Sequence, residues 1–327
     1  MRIIGSLVAV LLLIYWLSKQ GWGEILAAIG RIPLGLCLLV LGIALISRIA
    51  VAIRWYVLLH SANSGISFGQ TIRLTFAGLF ASNFLPTTIG GDVVRLAGGL
   101  QLRLDGAVCA ASLITDRLIG MAGMATILPV GLIPLWQAAI LRSTLSSFDS
   151  LLPLGLAFGD STTWMAKFWK RTKRLVQRIL QVLSLWLRNP RALMGALLCT
   201  WAHMLFLFLA IWLLLTSMGE DMPLWLVGGL WSVVYFVTLL PISINGLGIQ
   251  EVTLTFIFSN VGGVSVQGAL TLALLIRTLM MLASLPGVVF LPMILSTARL
   301  YSPIDLNPMR ASFGMTPRSN KLFDEPR

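Results

Sequence analysis

Residues 83–95 read Asn-Phe-Leu-Pro-Thr-Thr-Ile-Gly-Gly-Asp-Val-Val-Arg, and they stand where an apolar helix would otherwise continue. Pro86 removes a backbone donor and disfavours helical geometry at Leu85, while Gly90-Gly91 let the chain turn sharply. Asp92 and Arg95 then put opposite charges one helical turn apart beside an apolar run. Lipid offers freed backbone groups no partners, so a break of this kind survives in a membrane only where protein or a wet cavity surrounds it. The stretch predicts a membrane-embedded break lined by charge.

The device occurs twice. Leu85-Pro86-Thr87-Thr88-Ile89-Gly90-Gly91 aligns without gaps on Leu240-Pro241-Ile242-Ser243-Ile244-Asn245-Gly246, and the copies end in Asp92 and Arg95 or in Gln250 and Glu251. Interrupted helices at corresponding places in two halves of a membrane protein point to the substrate site of a transporter. Pro86 and Pro241 are the expected break points.

Composition sets the class. The 327 residues are 57% hydrophobic and 11% charged, and apolar runs long enough to cross a bilayer recur along the chain. This excludes an ordinary water-soluble domain. The net charge of +12 sits in loops between apolar segments, where it sets orientation and meets anionic lipid, so nucleic acid is not an expected partner. Cys37, Cys109 and Cys199 fall in apolar runs without metal-ligand spacing and read as buried free thiols.

In chain order, residues 3–17 follow Met1-Arg2 and read as an uncleaved first helix, because no small-residue cleavage site comes after them. Residues 34–59 span, carrying Arg48 and Arg54: Arg48 either snorkels or faces a cavity, and Arg54-Trp55 is either an interface anchor or a cavity group. Residues 68–85 lead into the first break, and 92–104 form a short helix pointing back inward. Residues 107–134 span again, with Asp116-Arg117 projecting in different directions and Gly120 and Gly123 permitting close helix approach. Residues 145–159 form either a loop or a short embedded helix, and 164–188 a basic amphipathic helix on the cytoplasmic surface. Residues 191–215 span with His203, which is either hydrogen-bonded structure or a substrate or proton group. Residues 224–240 enter the second break, where Gly246 to Glu251 start a helix whose free amides face the cavity, and 266–295 close the bundle with Arg277. Residues 298–327 are a polar tail with a disordered composition.

The expected architecture is all-α: one transmembrane domain over 1–297, with seven or eight spans in two inverted repeats at about 34–134 and 191–295, each holding a broken or re-entrant helix.

Taken together, Arg54-Trp55, Asn83-x-x-Pro86 with Gly90-Gly91-Asp92-x-x-Arg95, Asp116-Arg117-x-x-Gly120, and Pro241-x-Ser243-x-x-Gly246-x-Gly248-x-x-Glu251 form a combination that resembles the lysylphosphatidylglycerol synthase transmembrane-region family of flippase-like proteins. The resemblance runs over about 3–295. It implies movement of aminoacylated, glycosylated or polyprenyl-linked lipids between leaflets. Full-length synthases carry an aminoacyl-transferase domain after the membrane part; here only a short tail follows, so no aminoacyl transfer is expected.

The expected function is a lipid flippase or transporter that passes a phospholipid or polyprenyl-linked headgroup through a polar cavity at the membrane midplane. Arg95, Arg117 and Arg277, with the amides of Gly90, Gly91, Gly246 and Gly248, would hold a phosphodiester, while Asp92, Asp116 and Glu251 balance the arginines and receive an amine or hydroxyl. Arg54, Asn83, Asn245, Gln250 and His203 are secondary candidates. Two alternatives stand: an integral membrane enzyme of polyprenyl-phosphate or glycolipid metabolism using Asp92 and Asp116, and a scaffold that recruits a glycosyltransferase or synthase through residues 164–188. No catalytic residue, metal or cofactor is expected. The expected partners are membrane lipids and a lipid-modifying enzyme or glycosyltransferase, and the expected place is a bacterial inner membrane.

Overall fold

Long apolar runs become helices, and prolines and small polar side chains start them. A computed structural model describes residues 33–84, 90–138, 189–239 and 248–291, with Gly30 and Trp186 besides. Its helices are α1 (Leu34–Ser61), α2 (Phe68–Phe84), α3 (Gly90–Gln101), α4 (Gly106–Gln137), α5 (Pro190–Ser217), α6 (Leu224–Thr238), α7 (Ile249–Asn260) and α8 (Val266–Ser284). No strand occurs among the described residues. Pro33 precedes α1, and Pro190 opens α5, where its missing N–H costs nothing. Asp105 caps α4 by accepting from the N–H groups of Ala107 and Val108, and Ser265 caps α8 by accepting from that of Gly268.

Among the described residues α1, α4, α5 and the stretch Val266–Leu291 are long and apolar enough to cross a bilayer, and α6 is a shorter apolar helix. The chain is an integral membrane protein. The first helix at 3–17, the segments 145–159 and 164–188 (Trp186 apart), the tail 298–327 and both breaks lie outside the described residues, and with the breaks go Pro86, Pro241, Asn245 and Gly246. Two element bounds differ from the sequence reading. Gly90 and Gly91 fall inside α3 instead of in the turn, and α4 runs through Pro129 and Pro134 to Gln137. The cysteines are free, but Cys37 is exposed instead of buried.

The eight helices form two series of matching order. Their lengths are 28, 17, 12 and 32 residues in the first and 28, 15, 12 and 19 in the second. Exchanging one series for the other leaves the set of substantial helix contacts unchanged: α2–α3 matches α6–α7, α4–α6 matches α8–α2, and α4–α5 matches α8–α1. The most extensive contact joins the two leading helices, α1 and α5. Ser47 meets His203, Arg54 meets Thr200, and Val57 meets Gly195, so α1 and α5 run antiparallel. Ser47 and His203 are each the fourteenth residue of a 28-residue helix, so their 2.6 Å hydrogen bond joins equivalent positions and marks the axis of the exchange.

The apolar core follows this contact through Ala44, Ile211 and Leu215 and spreads to Leu230, Leu254 and Leu272 on the last three helices. Lipid is as apolar as leucine, so helix association here rests on close fit. Small residues supply it. A Cβ on Gly229 of α6 would lie 2.7 Å from the backbone nitrogen of Gly131 on α4, and Gly123 leaves room for Thr200 of α5.

Candidate functional site

The same ion pair is built twice. Asp92 is the third residue of α3 and Glu251 the third of α7, in the first turn, where the helix dipole and unfilled N–H groups favour a carboxylate. Arg117 and Arg277 are each the twelfth residue of the helix that follows, α4 or α8, and each donates from Nε to the acid of its own half. The surroundings differ. The Asp92–Arg117 pair borders a groove of about 270 Å³ between α3 and α4, walled by Val93, Leu96, Leu113 and Ile114, and the Arg117 side chain is 43% exposed. In the second half the Arg277 side chain is 17% exposed and that of Glu251 2%.

The first half has a further cluster. Asp116 accepts from Arg54 Nε at 2.6 Å on one oxygen and from Arg95 Nη1 at 3.2 Å on the other, which ties α1, α3 and α4 together. Arg95 also reaches Asp92 at 3.4 Å and stacks on the Trp55 ring, 4.0 Å from its centroid. All three ions are buried, and Arg95 Nε and Nη2 have no hydrogen-bond partner among the described residues. Gly78 makes the space: a Cβ there would sit 2.7 Å from Arg95 Cγ. The second half carries Ala210, Leu254 and Ile276 at the positions of Arg54, Arg95 and Asp116.

A cavity of about 260 Å³ lies on the exchange axis, lined from both halves by Arg48, Asn83, His203, Tyr235, Gln250 and Arg277 among others. His203 is held by Ser47, and Asn83 donates to Ser284 Oγ at 2.7 Å. Four candidates from the sequence therefore meet here: Asn83, His203, Gln250 and Arg277. Asp92 and Arg117 border the separate groove, and Arg54, Arg95 and Asp116 form the buried cluster, where the sequence suggested one shared site.

Three readings change with the geometry. Arg54 and Trp55 are buried, so they do not anchor at an interface; the indole donates to Ser112 Oγ. Gly91 is a contact glycine, since a Cβ on it would run into the Gly78 carbonyl. Gly248 takes φ +78°, which glycine adopts without strain, and its N–H, expected to face a headgroup, donates to Glu251 Oε2 at 2.9 Å.

The sequence model of a family described as the lysylphosphatidylglycerol synthase TM region matches residues 2–287. The chain belongs to that family. A comparison with curated proteins gives no match. Membership in the lysylphosphatidylglycerol synthase TM region family agrees with the apolar helices and associates the protein with lipid handling in a membrane.

Sequence reasoning left Arg48 open between snorkelling and a cavity role, and missed Tyr235 and Trp231 on the cavity wall. A usable signal for Arg48 was depth. It sits near the middle of α1, roughly 20 Å from either end at the helical rise, too far for its side chain to reach a headgroup layer. Tyr235 and Trp231 gave no such signal, because aromatic residues in an apolar helix are ordinary core.

Proposed function

We propose that the protein moves a phospholipid or polyprenyl-linked lipid headgroup between leaflets, as a flippase-type transporter that performs no covalent chemistry itself. The observation that carries this is the polar cavity on the axis relating the two helix series. Equivalent helices α1 and α5 run antiparallel, as inverted repeats require, and an axis between antiparallel spanning helices lies in the membrane plane. The cavity then sits at mid-depth, where buried charge is costly and is associated with transport pathways.

The groove beside Asp92 and Arg117 has apolar walls and a charged end, which suits a lipid whose chains stay in the bilayer while its headgroup enters. Exchange of partners supplies the mechanism. A headgroup phosphate competes with Asp92 for Arg117 and Arg95, and a headgroup amine or hydroxyl competes with the arginines for Asp92. Glu251 and Arg277 offer the same choice on the cavity side. Each of these acids is paired with its arginine when the site is empty, which limits the cost of keeping them.

Reconstituted vesicles test this. Wild-type protein is expected to expose an inner-leaflet fluorescent phospholipid to an external quencher. Asp92→Ala, Arg95→Ala and Glu251→Ala should each slow that exposure by roughly tenfold or more, the worth of one charge-assisted hydrogen bond. Folded variants that move lipid at the wild-type rate would overturn the proposal.

A further inference from the structure

We infer that the cavity on the exchange axis is an anion site in which Arg48 holds a phosphate-bearing group. This deepens the transport proposal, on which it rests, by naming what the cavity recognises and which residue does it. Arg48 stands next to Ser47 at the centre of α1, and its guanidinium donates, among the described residues, to the Met280 thioether, a weak acceptor. No carboxylate of the described residues lies within ion-pair distance of it, while the neighbouring acids are committed elsewhere: Glu251 to Arg277 and Gly248, Asp116 to Arg54 and Arg95, Asp92 to Arg117 and Arg95. A cation at the centre of a spanning helix without a counter-ion is expensive to keep.

The repeat does not demand it. The equivalent position in α5 is Met204, a buried apolar residue, so a helix of this kind is built without the charge. The cavity wall also supplies neutral groups that no hydrogen bond among the described residues occupies, the Gln250 amide and the Tyr235 hydroxyl. A guanidinium fork with amide and hydroxyl donors, and no uncommitted carboxylate of the described residues beside it, is a donor set for an oxyanion. Phosphate matches the fork in geometry and is the anion that a lipid phase supplies.

The test reads binding by delipidated protein in detergent, using native mass spectrometry with phosphatidylglycerol, diacylglycerol and inorganic phosphate as probes. Wild type should hold phosphatidylglycerol at least about tenfold more tightly than diacylglycerol, the scale of one hydrogen bond to a charged group. Arg48→Gln should lose that preference, Arg48→Lys should keep part of it because the charge remains without the fork, and Arg103→Gln, an exposed loop arginine, should keep all of it. Loss of phosphatidylglycerol binding in Arg48→Gln names the lipid as the source of the phosphate, and loss of inorganic phosphate binding names the free ion. Unchanged binding of both overturns the site. Arg48→Gln should also melt no lower than wild type, since it removes a charge that has no counter-ion among the described residues; a lower melting temperature with binding retained would make Arg48 a structural residue and end the proposal. Binding is read without transport, so a wild type that binds through Arg48 but moves no lipid defeats the transport proposal alone.

Discussion

Asp116 holds two guanidinium groups on separate oxygens, and all three side chains are buried. Removing the acid leaves Arg54 with no carboxylate among the described residues and Arg95 with only its longer contact to Asp92, in a medium that cannot hydrate them. Asp116→Asn is therefore expected to destabilise the protein by about 3–5 kcal/mol, seen as a lower unfolding midpoint in detergent. The second half shows how the same place is built without ions. The triple change Arg54→Ala, Arg95→Leu and Asp116→Ile copies its residues and should recover most of that loss, because buried ion networks are replaced by apolar groups at little cost. If the triple variant is as unstable as Asp116→Asn, the cluster braces the fold in a way that charge balance does not explain. The adjacent pair Asp116-Arg117 was legible as two groups aimed apart, yet their partners were not: Arg54, Arg95 and Asp92 stand 62, 21 and 25 residues away along the chain.

Among the helices the decisive feature is how closely α4 and α6 approach. The backbones of Gly131 and Gly229 touch, which joins the last helix of the first series to the second helix of the other. Gly229→Ala puts a methyl 2.7 Å from the Gly131 nitrogen, and neither backbone can yield without moving its helix. The expected cost is about 1–3 kcal/mol, read by thermal unfolding in detergent, with Gly195→Ala as a mild comparison because its Cβ would meet Val57 Cγ1 at an ordinary 3.6 Å. Equal effects of the two changes would remove the case for a tight α4–α6 contact. Gly120 and Gly123 were readable as contact residues from their spacing, whereas Gly131 and Gly229 were not. Nothing local distinguishes a glycine that faces another helix from one that faces lipid.

At the scale of the molecule the two series exchange without altering the contact pattern, and α1 crosses α5 antiparallel. If the two series are inverted repeats, as the transport proposal takes them to be, a prediction about sides follows. The loop after α3 and the end of α7 occupy equivalent positions, so they should emerge on opposite faces of the membrane. Arg103→Cys and Asn260→Cys, both at exposed positions, in a background without other cysteines, are expected to react with a membrane-impermeant maleimide from opposite sides of oriented vesicles. Labelling of both from one side would contradict the inversion and would remove the argument that the cavity lies at mid-depth.

The class of molecule and the approximate helices among the described residues were legible in the sequence, because hydropathy, proline and glycine act locally and write their effects in composition and spacing. It carried the family as well, through short motifs in a fixed order. Which acid meets which arginine, the joining of Ser47 to its equivalent His203, and the place of Arg48 on a shared cavity were decided by the tertiary structure. Such facts depend on the relative placement of helices far apart in the chain, and a one-dimensional pattern does not record distances between them.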